Sequence, residues 1–184
     1  MQFAALKHST HTTVSNIVTS NVAPKRPLHR YLIVDRITVG GVDQDDIWNA
    51  SARAHLAYCI NQSSFGSNYA AVQAAISEAA SGWNGVIGAR VEYRADQDSA
   101  CTATNSNVVF NVAFQQTLGA TARSFLPVNA RPDRQILLGP AAFNRPADLT
   151  LAGVFRHELG HTLGFRHEFI RQPNPPVSCQ ETVP

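Results

Sequence analysis

His157-Glu158-Leu159-Gly160-His161-Thr162-Leu163-Gly164-Phe165-Arg166-His167-Glu168 is the stretch on which the reading of this chain turns. His157 and His161 are four residues apart, so on a helix they share a face, one turn from each other. Two imidazole nitrogens at that spacing can reach a single Zn²⁺ at about 2.0–2.1 Å. Glu158 is turned about 100° from His157 around such a helix. It can face a water on the metal without binding the metal, which is the place of a general base. Gly164 is placed to end the helix in a left-handed conformation, and a sharp turn there brings His167 round as a third ligand. Three protein ligands leave one position open, the arrangement of a catalytic rather than a structural zinc. A bare His-Glu-x-x-His also occurs in helices that hold no metal. Here five positions agree across the eleven residues from His157 to His167, including a Gly where a turn is required and a His where a ligand is required.

Working outward, the zinc helix is expected to begin at Asp148 or Thr150, either of which can cap it. Leu151, Phe155 and Leu159 then form its buried stripe. Upstream, residues 134–138, 120–126, 108–114 and 89–94 read as strands separated by turn residues. Residues 68–83 read as a helix, because Tyr69, Val72, Ile76, Ala79 or Ala80, and Trp83 fall at three- and four-residue steps. A strand is expected within 53–61. A β-rich run at 31–39 ends at Gly40-Gly41 and is followed by an acidic, turn-prone stretch at 42–46. Residues 1–30 are a polar lead-in whose His8, His11 and His29 match no standard metal spacing. Pro173, Pro175 and Pro176 exclude helix beyond Gln172. The pattern is that of an α/β (α+β) domain without internal repeats.

The length of 184 residues suits one domain, and 44% apolar with 15% charged residues describes a globular core rather than a disordered chain. The net charge of +2 and the scattered Lys and Arg give no reason to expect nucleic acid as a partner. No run approaches the roughly 20 apolar residues of a bilayer span, so no membrane insertion is expected. No secretory signal is visible in residues 1–11. A monomer is expected. Cys59, Cys101 and Cys179 are either three buried thiols or a Cys59–Cys101 pair with Cys179 left over.

His-Glu-x-x-His-x-x-Gly-x-x-His resembles the signature of the metzincin zinc endopeptidases. Gly164-Phe165-Arg166-His167-Glu168 followed by Arg171 resembles the astacins. The run from His157 to Thr162 is similar to the bacterial "dual-action HEIGH" metallopeptidases. Ser124-Phe125-Leu126 and the run from Arg134 to Pro140 resemble the two strands that precede the zinc helix in astacins. The resemblance covers roughly residues 54–172. It implies a zincin-like domain, with a twisted mixed sheet, a backing helix and an active-site helix. It also implies one catalytic Zn²⁺, a peptide or protein substrate cleaved internally, and secretion from a bacterium. An edge strand would pair with extended substrate, a role that falls on Ala122, Arg123 and Ser124. Glu168 and Arg171 match family positions that could equally be plain surface charges.

The chain also departs from the family pattern. Metzincins carry a methionine turn beneath the metal, and Met1 is the one methionine here. Two explanations are weighed: a fragment of a larger peptidase, or a zinc-binding module without catalysis. The expected division is a lead-in or pro-segment at 1–53, the catalytic subdomain at 54–172, and the start of a C-terminal subdomain at 173–184. Asp35 is a candidate latency switch, since related peptidases can be held inactive by an acidic side chain on zinc.

Overall fold

The run Leu56-Ala57-Tyr58-Cys59-Ile60 is almost wholly buried, and a strand with no polar face has to be covered on both sides. It forms the second strand of a mixed sheet in this computed structural model, which describes residues 36–146 and 148–167. The elements in chain order are β1 (Arg36–Val39), β2 (Val42–Asp45), α1 (Ala50–Arg53), β3 (Leu56–Ile60), α2 (Gln62–Phe65), α3 (Tyr69–Trp83), β4 (Val91–Tyr93), β5 (Phe110–Phe114), β6 (Ala122–Arg123), β7 (Gln135–Leu138) and α4 (Leu151–Thr162). The sheet order is β4-β3-β5-β7-β6. Neighbouring strands are parallel except at the edge, where β6 runs antiparallel to β7 with Ala122 opposite Leu138.

Parallel neighbours need a crossover, and α3 supplies the one from β3 to β4. Its buried face is Val72, Ile76, Ala79 and Ala80, four of the positions that the helical spacing marks. The sheet contributes Tyr58, Ile60, Phe110, Ile136 and Leu138 to the same core, and α4 adds Leu151, Phe155 and Leu159. The two long helices pack directly against each other. Gly160 sits at this contact, where an added Cβ would lie 3.5 Å from the Trp83 ring. A mixed five-stranded sheet backed by α3 and α4 is the zincin-like α+β arrangement.

Two expectations are corrected. The stretch 42–46, read as a turn, contains strand β2, which pairs antiparallel with β1 across Gly40 and Gly41. All four β2 residues are exposed, so no apolar alternation announces the strand. The strand expected at 120–126 shortens to Ala122–Arg123. Beyond Arg123 the chain leaves the edge because Phe125 turns into the core, its ring 5.6 Å from that of Phe110. Residues 31–35 lie outside the described part.

Cys59 and Cys101 form a disulfide and, with Val108, make a small core of their own. A closed loop of this length stabilises by about 4 kcal/mol in the chain-entropy account. The segment leading to Cys101 is also held by Asp98. Its carboxylate accepts from the Ile60 amide at 2.9 Å and from the hydroxyls of Tyr69 and Tyr93. Cys179 lies outside the described residues.

Candidate metal centre

Thr150 caps α4, its hydroxyl oxygen accepting from the Gly153 amide at 3.0 Å. With the start of the helix set there, Leu151, Phe155 and Leu159 face the core and are buried. His157, one turn before His161, stays exposed on another side. The last helical hydrogen bonds run from Leu163 and Gly164 back to Leu159, Gly160 and His161. Gly164 then takes φ +97°, a left-handed conformation that costs a side-chain-bearing residue 1–3 kcal/mol. The reversal returns the Phe165 amide to the Gly160 carbonyl at 3.0 Å and delivers His167 to the helix face.

The three histidines meet there. Their Nε2 atoms are 3.1 Å (His157–His161), 2.9 Å (His157–His167) and 3.2 Å (His161–His167) apart. Tetrahedral binding at 2.0–2.1 Å spaces nitrogen ligands about 3.3 Å apart, so the cluster is within a few tenths of an ångström of that geometry. Among the described residues they form a group able to hold a metal ion. His161 Nδ1 lies 2.6 Å from the Phe165 carbonyl oxygen. A carbonyl can only accept, so Nδ1 carries the proton and Nε2 presents its lone pair to the centre. Burial, followed by the proximity of His161 and His167, holds the His157 imidazole below its usual pKa and so in the neutral, ligating form.

Two tryptophans brace the turn that joins α4 to His167. The Trp83 ring stacks on Phe165 with centroids 5.6 Å apart, and its Nε1 donates to the Arg156 carbonyl at 2.9 Å. The Trp48 Nε1 donates to the Thr162 carbonyl at 2.6 Å. Sequence reading missed Trp48 and its neighbour Asp46, which lie before the expected catalytic subdomain. A Trp beside an acidic, turn-prone stretch was the available signal.

Glu158 is 7% exposed, and burial alone pushes its carboxyl up from 4.5 to about 7. The unfolded chain ionises first, near 4.5, so stability due to this group is full below that pH. It is lost as pH rises toward and through 7. The metal-free protein is therefore expected to lose about 3 kcal/mol between pH 4.5 and 8 through Glu158. Urea unfolding of chelator-treated protein checks this: Glu158→Gln should lack that loss while keeping every histidine contribution. Identical pH curves for the two proteins would refute it.

Ser124 donates its hydroxyl to the Glu158 carbonyl at 3.0 Å, tying the end of the edge strand to the helix. Ala122 is half-buried and Arg123 exposed in β6, beside the sheet's antiparallel edge. Asp35, Glu168 and Arg171 lie outside the described residues.

A zincin-like sheet, a helix carrying His-Glu-x-x-His and a third histidine returned by a glycine turn together define a metallopeptidase of metzincin-like type. The family model described as dual-action HEIGH metallo-peptidase matches residues 45–182, well over half of the chain, and the chain belongs to that family. Leu159 stands here at the position of the isoleucine in the family's name, a volume-conserving exchange at a fully buried position. No curated protein matches the chain. The family match begins at residue 45 and so takes in Asp46, Trp48 and α1.

Proposed function

We propose that the protein is a zinc endopeptidase in which His157, His161 and His167 hold one Zn²⁺ and Glu158 is the general base. The observation that carries the reading is the convergence of three imidazole Nε2 atoms on one point, with Glu158, the residue after His157, carrying a buried carboxyl. Three imidazole nitrogen donors suit zinc. When bound, the ion supplies a Lewis acid that polarises a peptide carbonyl and acidifies water.

The chain's own groups do the rest. The Glu158 carboxylate takes the proton of the attacking water and passes it to the departing amine nitrogen. A single positioned carboxyl can act in turn as base toward the water and as acid toward the amine. Ala122, Arg123 and Ser124 line the antiparallel edge, where an extended peptide pairs with main-chain groups of β6. A peptide that pairs through its main chain with a strand edge can do so by its middle as readily as by its end, which is the basis of the reading of internal cleavage. The Ser124 hydroxyl holds the Glu158 carbonyl, so its part in substrate binding is through the backbone. Family membership does not favour the alternative of a zinc-binding module without catalysis.

The division into a lead-in at 1–53, a catalytic subdomain at 54–172 and a following segment belongs to the same proposal, as does the astacin-like branch read from residues 164–171. So does secretion from a bacterium, which the Cys59–Cys101 disulfide supports because such bonds persist in oxidising compartments. The protein would act as a monomer. Among the described residues no helix is long and apolar enough to cross a membrane.

The test is zinc content measured together with cleavage of an unstructured protein. One zinc per chain, internal cuts, loss of both on chelation and return of both with added zinc is the expected result. A protein that holds zinc and cuts nothing would overturn the peptidase reading, and one that holds none would overturn the metal site.

A further inference from the structure

The segment Asp46-Ile47-Trp48 lies against the turn that delivers His167. The Asp46 carbonyl oxygen would be 2.3 Å from a Cβ placed on Gly164, and Ile47 Cγ2 would be 3.4 Å from it. Asp46 is itself buried, and its carboxylate accepts from the Val128 amide at 3.1 Å. Trp48 closes the arrangement from the other side. Its indole N–H reaches the carbonyl of Thr162, the last residue of α4, and the Arg134 guanidinium lies 4.8 Å over its ring. The Arg134 Nε in turn donates to the Asn129 carbonyl at 2.7 Å.

A helix leaves its last four carbonyls without intrahelical partners. Thr162 is one of these, and it is followed by the residues that reverse the chain. An indole donor on that carbonyl sets where the reversal starts, and the packed Asp46 backbone limits how far Gly164 can swing. His167 comes three residues after Gly164, and its Nε2 has to arrive within a few tenths of an ångström of a ligand position. We propose that Trp48 is a positioning residue of the metal centre, aligning His167 through the Thr162 carbonyl and the Gly164 turn. The proposal rests on the zinc reading of the three histidines. It enlarges the working site to include a segment 114 residues upstream of Thr162.

Trp48→Phe keeps an aromatic ring for Arg134 and removes the indole donor. Groups that orient ligands from behind are worth 10- to 100-fold in metal affinity, so the zinc Kd of this variant should weaken by about that factor. The visible absorption of its cobalt-loaded form should change, because the third nitrogen donor is misplaced. Wild type and the double variant Cys59→Ala/Cys101→Ala are measured alongside. The double variant loses stability in a separate small core and should keep wild-type zinc affinity and cobalt absorption. A second measurement needs no substitution to fold: in wild type the Trp48 indole proton should resist solvent exchange, and its NMR signal should move when zinc is added. Trp48→Phe with wild-type Kd and cobalt absorption would overturn the positioning role. So would an indole proton that exchanges freely, or a disulfide variant weakened as much as Trp48→Phe. A wild-type protein that binds neither metal overturns the zinc reading itself, and the proposal with it.

Discussion

Glu158→Gln is expected to keep a full complement of zinc and to lower kcat for protein cleavage by about a thousandfold, within the range that a positioned acid–base group contributes. That factor corresponds to about 4 kcal/mol of transition-state stabilisation. Glutamine has nearly the size and shape of glutamate, so the pocket that keeps residue 158 at 7% exposure is filled as before. What is lost is the ability to accept a proton. Zinc should stay because the converging nitrogens belong to His157, His161 and His167. The same substitution removes a buried carboxyl whose ionisation is opposed by burial, so the metal-free variant should be more stable than wild type at pH 8. Lower activity with higher metal-free stability is a combination that a merely damaged fold does not give. Elemental analysis, kcat and KM on an unstructured protein, and urea unfolding measure the three parts. Wild-type kcat in the variant would remove Glu158 from the chemistry, and loss of zinc would make it part of the metal-binding set.

Gly164→Ala is expected to cost 3 kcal/mol or more, and to weaken zinc binding at the same time. The backbone there has φ +97°, which alone costs 1–3 kcal/mol for a residue with a side chain. The added Cβ would also meet the Asp46 carbonyl oxygen at 2.3 Å, far inside contact distance, so backbone has to move on one side or the other. At about 2–4 °C per kcal/mol for a domain of this size, the unfolding temperature should fall by about 10 °C. Gly164→Asn separates the two causes. Asparagine tolerates left-handed backbone better than alanine but carries the same Cβ, so it should not restore stability. Calorimetry on zinc-free protein and a chelator-competition Kd are the measurements. An alanine variant with unchanged unfolding temperature and Kd would refute both the clash and the tie between the turn and His167.

Much of the fold was legible where the determinants are local. The apolar steps through Val72, Ile76, Ala79 and Ala80 and through Leu151, Phe155 and Leu159 are properties of single helices, and both helices lie where those steps put them. Strand β2 was not legible because every one of its residues is exposed, and a strand with no buried face leaves no alternating pattern. The edge strand is shorter than its composition suggests because Phe125 has the composition of a strand residue and the position of a core residue.

The run from His157 to His167 determined by itself which side chains belong together and what kind of centre they suit. Helical spacing and the obligation of a turn at glycine are short-range rules, so residue order is enough to apply them. It did not determine what holds the third histidine in register or how deeply Glu158 is buried. Those follow from packing: Trp83 arrives from α3, Ser124 from the sheet edge, and Asp46 and Trp48 from a stretch that reads as lead-in. Such contacts join residues separated by tens to more than a hundred positions, and their energy depends on distances that exist only after the chain has closed on itself. The histidine motif is therefore complete in the sequence, whereas the frame that holds it is assembled by the fold.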